Sequence, residues 1–140
     1  MARNILAVLA GIFISFIISW ILRAMTMDMY MLPELDPRLD RETVEQMTRA
    51  HVASLTPKQL LAMGSGLLAQ SFVAPLVAAG ISRHKRMLTG IIAGIIILVA
   101  MITFILTIRP PFWFISVMMG GAAILILLGS RLGGGQWSMR

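Results

Sequence analysis

The sequence predicts an all-α integral membrane protein, a four-helix bundle with a short extramembrane amphipathic helix between helices one and two. Three observations carry that expectation. Over 140 residues the chain is 58% hydrophobic and 13% charged, with a mean hydropathy of +0.86; soluble domains hold about 45–50% apolar and about 25% charged residues. The charge is segregated, since all six acids fall between Asp28 and Glu45. Four apolar stretches are also each long enough to cross a hydrocarbon core, which takes roughly 20 helical residues.

Helix one is expected over about Asn4–Ala24. Its apolar run Ile5–Leu22 exceeds the core of a signal peptide, and Arg23, Met25 and Met27 stand where cleavage would want small residues. It therefore reads as an uncleaved signal anchor, with Arg23 snorkelling to the interface. Ala7, Gly11, Ser15 and Ser19 recur every four residues, a small-residue stripe that lets another helix backbone approach closely in lipid.

Residues 25–56 form an outer loop. Pro33 and Pro37 keep its first part from regular helix. Asp40 is placed to cap a short helix running to about Ser54, with Glu42 in the first turn, where acids favour the dipole. Val44, Met47, His51 and Leu55 fall at spacings of three and four and predict its apolar face, turned toward the membrane surface or folded over the bundle. Thr56-Pro57-Lys58-Gln59 is the strongest local signal: a capping threonine, proline at the first helical position and glutamine closing a capping box.

Helix two should run from Pro57 to about Ser82. Ala62, Gly66, Gln70, Ala74 and Ala78 share one face of it, and Pro75 removes a backbone hydrogen bond and is expected to kink it. The basic turn Arg83-His84-Lys85-Arg86 leads to helix three, about Met87–Ile108, which carries Gly90-x-x-x-Gly94 near its start. Arg109-Pro110-Pro111 ends it. Helix four, about Phe112–Arg131, opens on Phe112, Trp113 and Phe114 at the interface and has Gly120, Gly121, Ala122 and Ala123 at mid-depth. The tail from Gly133 is glycine-rich, with Trp137 suited to the headgroup layer. The whole of 1–140 is expected to form one membrane domain.

Short basic loops are retained in the cytoplasm. Arg83–Arg86 therefore predicts a multi-pass protein with both termini cytoplasmic and residues 25–56 outside.

The absence of cysteine removes disulfides, thiolate nucleophiles and thiolate metal sites. No charge falls near the centre of any span, the usual mark of a proton relay or ion-coupled carrier. Gln70 is the strongly polar side chain at mid-depth; an interhelical hydrogen bond is the leading role for it, contact with a substrate the other. Asp28, Glu34, Asp36 and Asp40 lack the spacing of a calcium loop, His51 has no second histidine at ligand spacing, and His84 sits among bases, so no metal is expected. Gly64-Ser65-Gly66 has no preceding strand to make a nucleophile elbow. Gly133-Gly134-Gly135 lacks the lysine and helix of a phosphate loop. The twelve methionines suit adaptable packing. The pI of 11.4 comes from bases at helix ends, so Arg83, Lys85 and Arg86 are expected to meet anionic lipid, not nucleic acid. No cofactor is implied.

With these segments placed, the chain resembles a widespread group of short, uncharacterised bacterial inner-membrane proteins with four transmembrane helices. The resemblance rests on Gly11 in helix one, the loop wording Leu32-Pro33-Glu34-Leu35-Asp36, the Ser54–Pro57 entry to helix two and the basic turn. It closes with Ile108-Arg109-Pro110-Pro111-Phe112-Trp113-Phe114 at the entry to helix four. It implies the same fold and no particular activity. Small multidrug transporters are similar in length and span count, but they use a carboxylate in helix one, which has none here.

These features point first to a non-enzymatic accessory or interaction component, with lipid and a second copy or another membrane protein as partners. A small oligomeric transporter or channel for a neutral solute, with Gln70 and the Pro75 kink along its path, is the second expectation. A membrane-embedded enzyme comes third, for want of a base, nucleophile or metal constellation.

Overall fold

The computed structural model describes residues 2–29 and 36–135. Five α-helices follow in order: α1 Ala2–Thr26, α2 Arg41–Ser54, α3 Pro57–Ile81, α4 Arg86–Ile108 and α5 Phe112–Gly133, with a 3₁₀ turn Met27–Met29 closing α1. Helices α1, α3, α4 and α5 are each long and apolar enough to cross a membrane. Their 22 to 25 residues give lengths of about 33–38 Å against a hydrocarbon core of about 30 Å. The four spans and the intervening short helix agree with the sequence, with boundaries displaced by one or two residues at most ends. Tyr30–Leu35, including most of the loop motif, and Trp137 lie outside the described residues.

Helix α3 is the hub. It packs on α1, α4 and α5, while α1 touches α4 far less. The sequence stripe on α1 does face it: Ala7, Gly11 and Ser15 are buried, and a Cβ built at Gly11 would stand 2.5 Å from the Ala74 carbonyl oxygen and 3.1 Å from the Ala78 Cβ. Only glycine lets the two backbones come that close. The outward faces are apolar and bare, among them Phe13, Trp20, Val99, Leu106 and Ile124. That exposure suits lipid and would be untenable in water.

The interior changes character from end to end. At the end holding the basic turn, Gly11, Gly90, Gly129 and Gly133 bring their helices against α3 with almost no side chain between. At the other end large side chains fill the space: Leu60, Met101, Ile105, Ile108, Phe114 and Met118 form a core cluster with Val52 of α2.

Local signals explain the ends. The Thr56 hydroxyl accepts from the Gln59 amide at 3.4 Å while the Gln59 side chain accepts from the Thr56 N–H at 2.9 Å, completing the capping box with Pro57 at N1. Lys85 and Arg109 adopt positive φ of 50° and 45°, each at a helix boundary where the chain reverses, and the Arg109 N–H closes α4 onto the Ile105 carbonyl at 2.9 Å. Helix α3 passes through Pro75 as one helix.

One expectation for α2 needs correction. Asp40 does occupy the N-cap position, but its side chain caps no backbone amide; its carboxylate accepts instead from the Thr43 hydroxyl at 3.3 Å. The predicted apolar face is covered in large part: Val44, His51 and Leu55 are half-buried, Leu55 packs on the core cluster and Val52 beside them is fully buried, while Met47 is 37% exposed. Helix α2 folds over α4, with the Arg49 guanidinium donating to the Thr107 carbonyl at 3.0 Å.

Candidate functional site

The basic end is knitted by short polar contacts. The buried Ser82 hydroxyl lies 2.9 Å from both the Asn4 side-chain oxygen and the His84 carbonyl and 3.2 Å from the Thr89 hydroxyl. The Arg3 guanidinium donates to the Ile81 carbonyl at 3.4 Å. These bonds tie the start of α1 to the turn between α3 and α4. Arg83, Lys85 and Arg86 are exposed there, and Arg131 closes α5 at the same end. No acid among the described residues accompanies them. The described acids, Asp28, Asp36, Asp40, Glu42 and Glu45, all sit at the opposite end. Ion pairs occur only on α2 among the described residues, where Arg41 and Arg49 reach Glu45 at 3.4 and 3.9 Å. No three histidine or acidic side chains gather among the described residues.

At that acidic end α1 and α4 stand apart, and the space between them is not filled. It forms a groove of about 360 Å³, a size within the range of about 300–1,000 Å³ of small-molecule sites. Phe16, Ser19, Trp20 and Arg23 of α1 make one wall, Ala100, Phe104 and Ile108 of α4 the other. Helix α3 supplies the floor through Ala62, Met63, Gly66, Leu67 and Gln70, and Thr48 and Val52 of α2 overhang the mouth.

Four helices position these side chains by simple periodicity. Ala62, Gly66 and Gln70 follow at intervals of four on α3, so the groove floor is one face of that helix. Ser19 meets it closely, since a Cβ at Gly66 would be 2.8 Å from the Ser19 hydroxyl oxygen. The walls are apolar apart from two ends. At the rim stands Arg23, at the level where α1 leaves the span. At the deep end lies Gln70, 5% exposed, which makes no side-chain hydrogen bond to any other described residue.

The interhelical bond expected of Gln70 is therefore not among the described contacts; the amide borders the groove instead. Pro75 does not line the groove with it. The Pro75 carbonyl oxygen faces α4, 2.9 Å from where a Gly90 Cβ would stand, so Gln70 and Pro75 border different spaces. Gln70 and Arg23 each stand out in the sequence, but separately. Phe16, Trp20, Ala100 and Phe104 do not stand out there as facing walls, because their meeting depends on how far α1 and α4 diverge.

Chemically, the groove offers an amide, two kinds of hydroxyl and a guanidinium. Among the described residues that line it, Ser19, Thr26 and Thr48 bring hydroxyls and no histidine or carboxylate accompanies them. The arrangement suits holding an amphiphile, with hydrocarbon between the walls and polar groups at the two ends.

Comparison with known protein families, with curated proteins and with solved structures finds no match for the chain.

Proposed function

We propose that this four-span membrane protein is a non-enzymatic accessory component of a bacterial inner membrane that works by holding one lipid-like amphiphile in the groove between α1 and α4. The observation that carries this reading is the groove itself, an apolar cleft opening sideways where the surrounding solvent is acyl chain. In the same proposal both termini are cytoplasmic. The support is the one-sided collection of Arg3, Arg83, Lys85, Arg86 and Arg131 with no described acid beside them, which suits the anionic, cytoplasmic leaflet. The groove then belongs to the outer leaflet.

The test is native mass spectrometry of the full chain released from its membrane in mild detergent. One lipid-sized adduct per chain is expected on the wild type. Ala100→Trp, at an open position on the α4 wall, should fill the groove and lose the adduct while keeping the helical spectrum. A wild type that carries no adduct, or a variant that carries as much, refutes the reading.

A further inference from the structure

Granting that the groove holds an amphiphile, its shape and polar groups narrow the class. Its floor runs from Ala62 to Gln70 on α3, eight residues or about 12 Å along the helix. One leaflet of hydrocarbon is about 15 Å, half of a core of about 30 Å. The groove is thus one leaflet deep, with Arg23 at headgroup level and Gln70 near the membrane centre. Along that length the groove offers about 360 Å³. That narrow, largely apolar space suits a single extended chain.

Gln70 adds a requirement that plain hydrocarbon cannot meet. The residue is 5% exposed, its side chain lines the groove and offers both donors and acceptors, and it has no hydrogen-bond partner among the described residues. A saturated chain beside it leaves the amide unpaired, which is costly in an apolar setting. A water molecule there would need two to four polar partners, and the neighbouring walls are largely apolar. At the other end, the Arg23 guanidinium presents a fork of donors that matches a carboxylate or phosphate.

We infer that the groove selects a single-chain anionic amphiphile carrying a hydroxyl or carbonyl in the distal half of its chain, with the headgroup on Arg23 and the chain oxygen on the Gln70 amide. This rests on the groove being a lipid site, and the experiment separates the two claims. The full chain, in nanodiscs of phosphatidylcholine, is titrated with stearate and with a hydroxystearate whose hydroxyl lies in the distal half. The same pair of chains is then offered as lysophosphatidic acids, which distinguishes a free acid from a phosphate headgroup. The hydroxylated chain is expected to bind about tenfold tighter than the plain chain in at least one headgroup form, the order of one recovered hydrogen bond. Gln70→Leu should erase that difference, and Arg23→Gln should weaken both chains alike. Equal affinities in the wild type overturn the inference whatever the variants do, as does a preference that survives in Gln70→Leu; either leaves the groove as a lipid site. Failure of every chain to bind overturns both.

Discussion

One close approach that a conservative substitution can probe is that of α5 to α3 at Gly129. A Cβ built there would lie 2.5 Å from the Phe72 carbonyl oxygen, where ordinary contact begins at 3.4 Å, a shortfall of 0.9 Å. The obstructing atom is backbone, so no rotamer change relieves it and the two helices must separate. Overpacking of this kind costs about 1–3 kcal/mol. Alanine's better helix propensity returns about 1 kcal/mol, so Gly129→Ala should destabilise the bundle by up to about 2 kcal/mol. Gly120 lies on the same helix with nothing within 4 Å of its built Cβ. Gly120→Ala should therefore be neutral or stabilise by up to about 1 kcal/mol. Both variants can be unfolded from one mixed micelle by raising the SDS fraction, with tertiary loss followed by near-ultraviolet circular dichroism. The reasoning is refuted if the two alanines shift the midpoint in the same direction, since helix propensity is common to them and only the facing carbonyl differs.

Two other outcomes follow from the ends of the helices. Thr56→Ala removes the hydroxyl that accepts from the Gln59 amide and should cost about 1 kcal/mol, seen as faster hydrogen exchange at Gln59; unchanged exchange there would mean the proline alone sets the helix start. Replacing Arg83, Lys85 and Arg86 with glutamine should reduce the preference for phosphatidylglycerol-containing over phosphatidylcholine nanodiscs by about 1 kcal/mol per base, with a weaker salt dependence. An unaltered preference would assign anionic-lipid attraction to other bases.

The spans were legible because they follow from composition and length alone, and the α3 start because Thr56, Pro57 and Gln59 act on their immediate neighbours. The stripe Ala7, Gly11, Ser15 was legible too, since a four-residue spacing fixes a helical face whatever lies opposite. The α2 face was legible in outline, since Val44, His51 and Leu55 are half-buried. What it packs on was not: Val52 is the residue fully buried, and the Arg49 bond that ties α2 to α4 reaches the Thr107 carbonyl 58 residues away.

The groove was hidden for a different reason, and its cause is nevertheless written in the chain. Gly11 falls in the first half of α1, Gly90 and Gly94 in the first half of α4, and Gly129 and Gly133 in the last turns of α5. Because the up-and-down order brings those halves to one end, the approaches of Gly11, Gly90, Gly129 and Gly133 to the α3 backbone gather toward the basic turn, whereas Gly64 and Gly66 at the other end meet the side chains of Met118 and Ser19. At the opposite end the side chains are Leu60, Met101, Ile105, Ile108, Phe114 and Met118, whose bulk holds α3, α4 and α5 apart and fills the space between them. Helix α1 carries no comparable inward side chain there: its face toward α3 continues as Ser15 and Ser19, and its bulky Trp20 is 73% exposed. Helices pinned together at one end and spread at the other must leave a gap beside the one that brings nothing to fill it. The groove is the consequence of that taper, so lengthening the close contact, as with Ser19→Gly beside Gly66, would be expected to narrow the cleft, and enlarging it would not require any change in the groove's own walls.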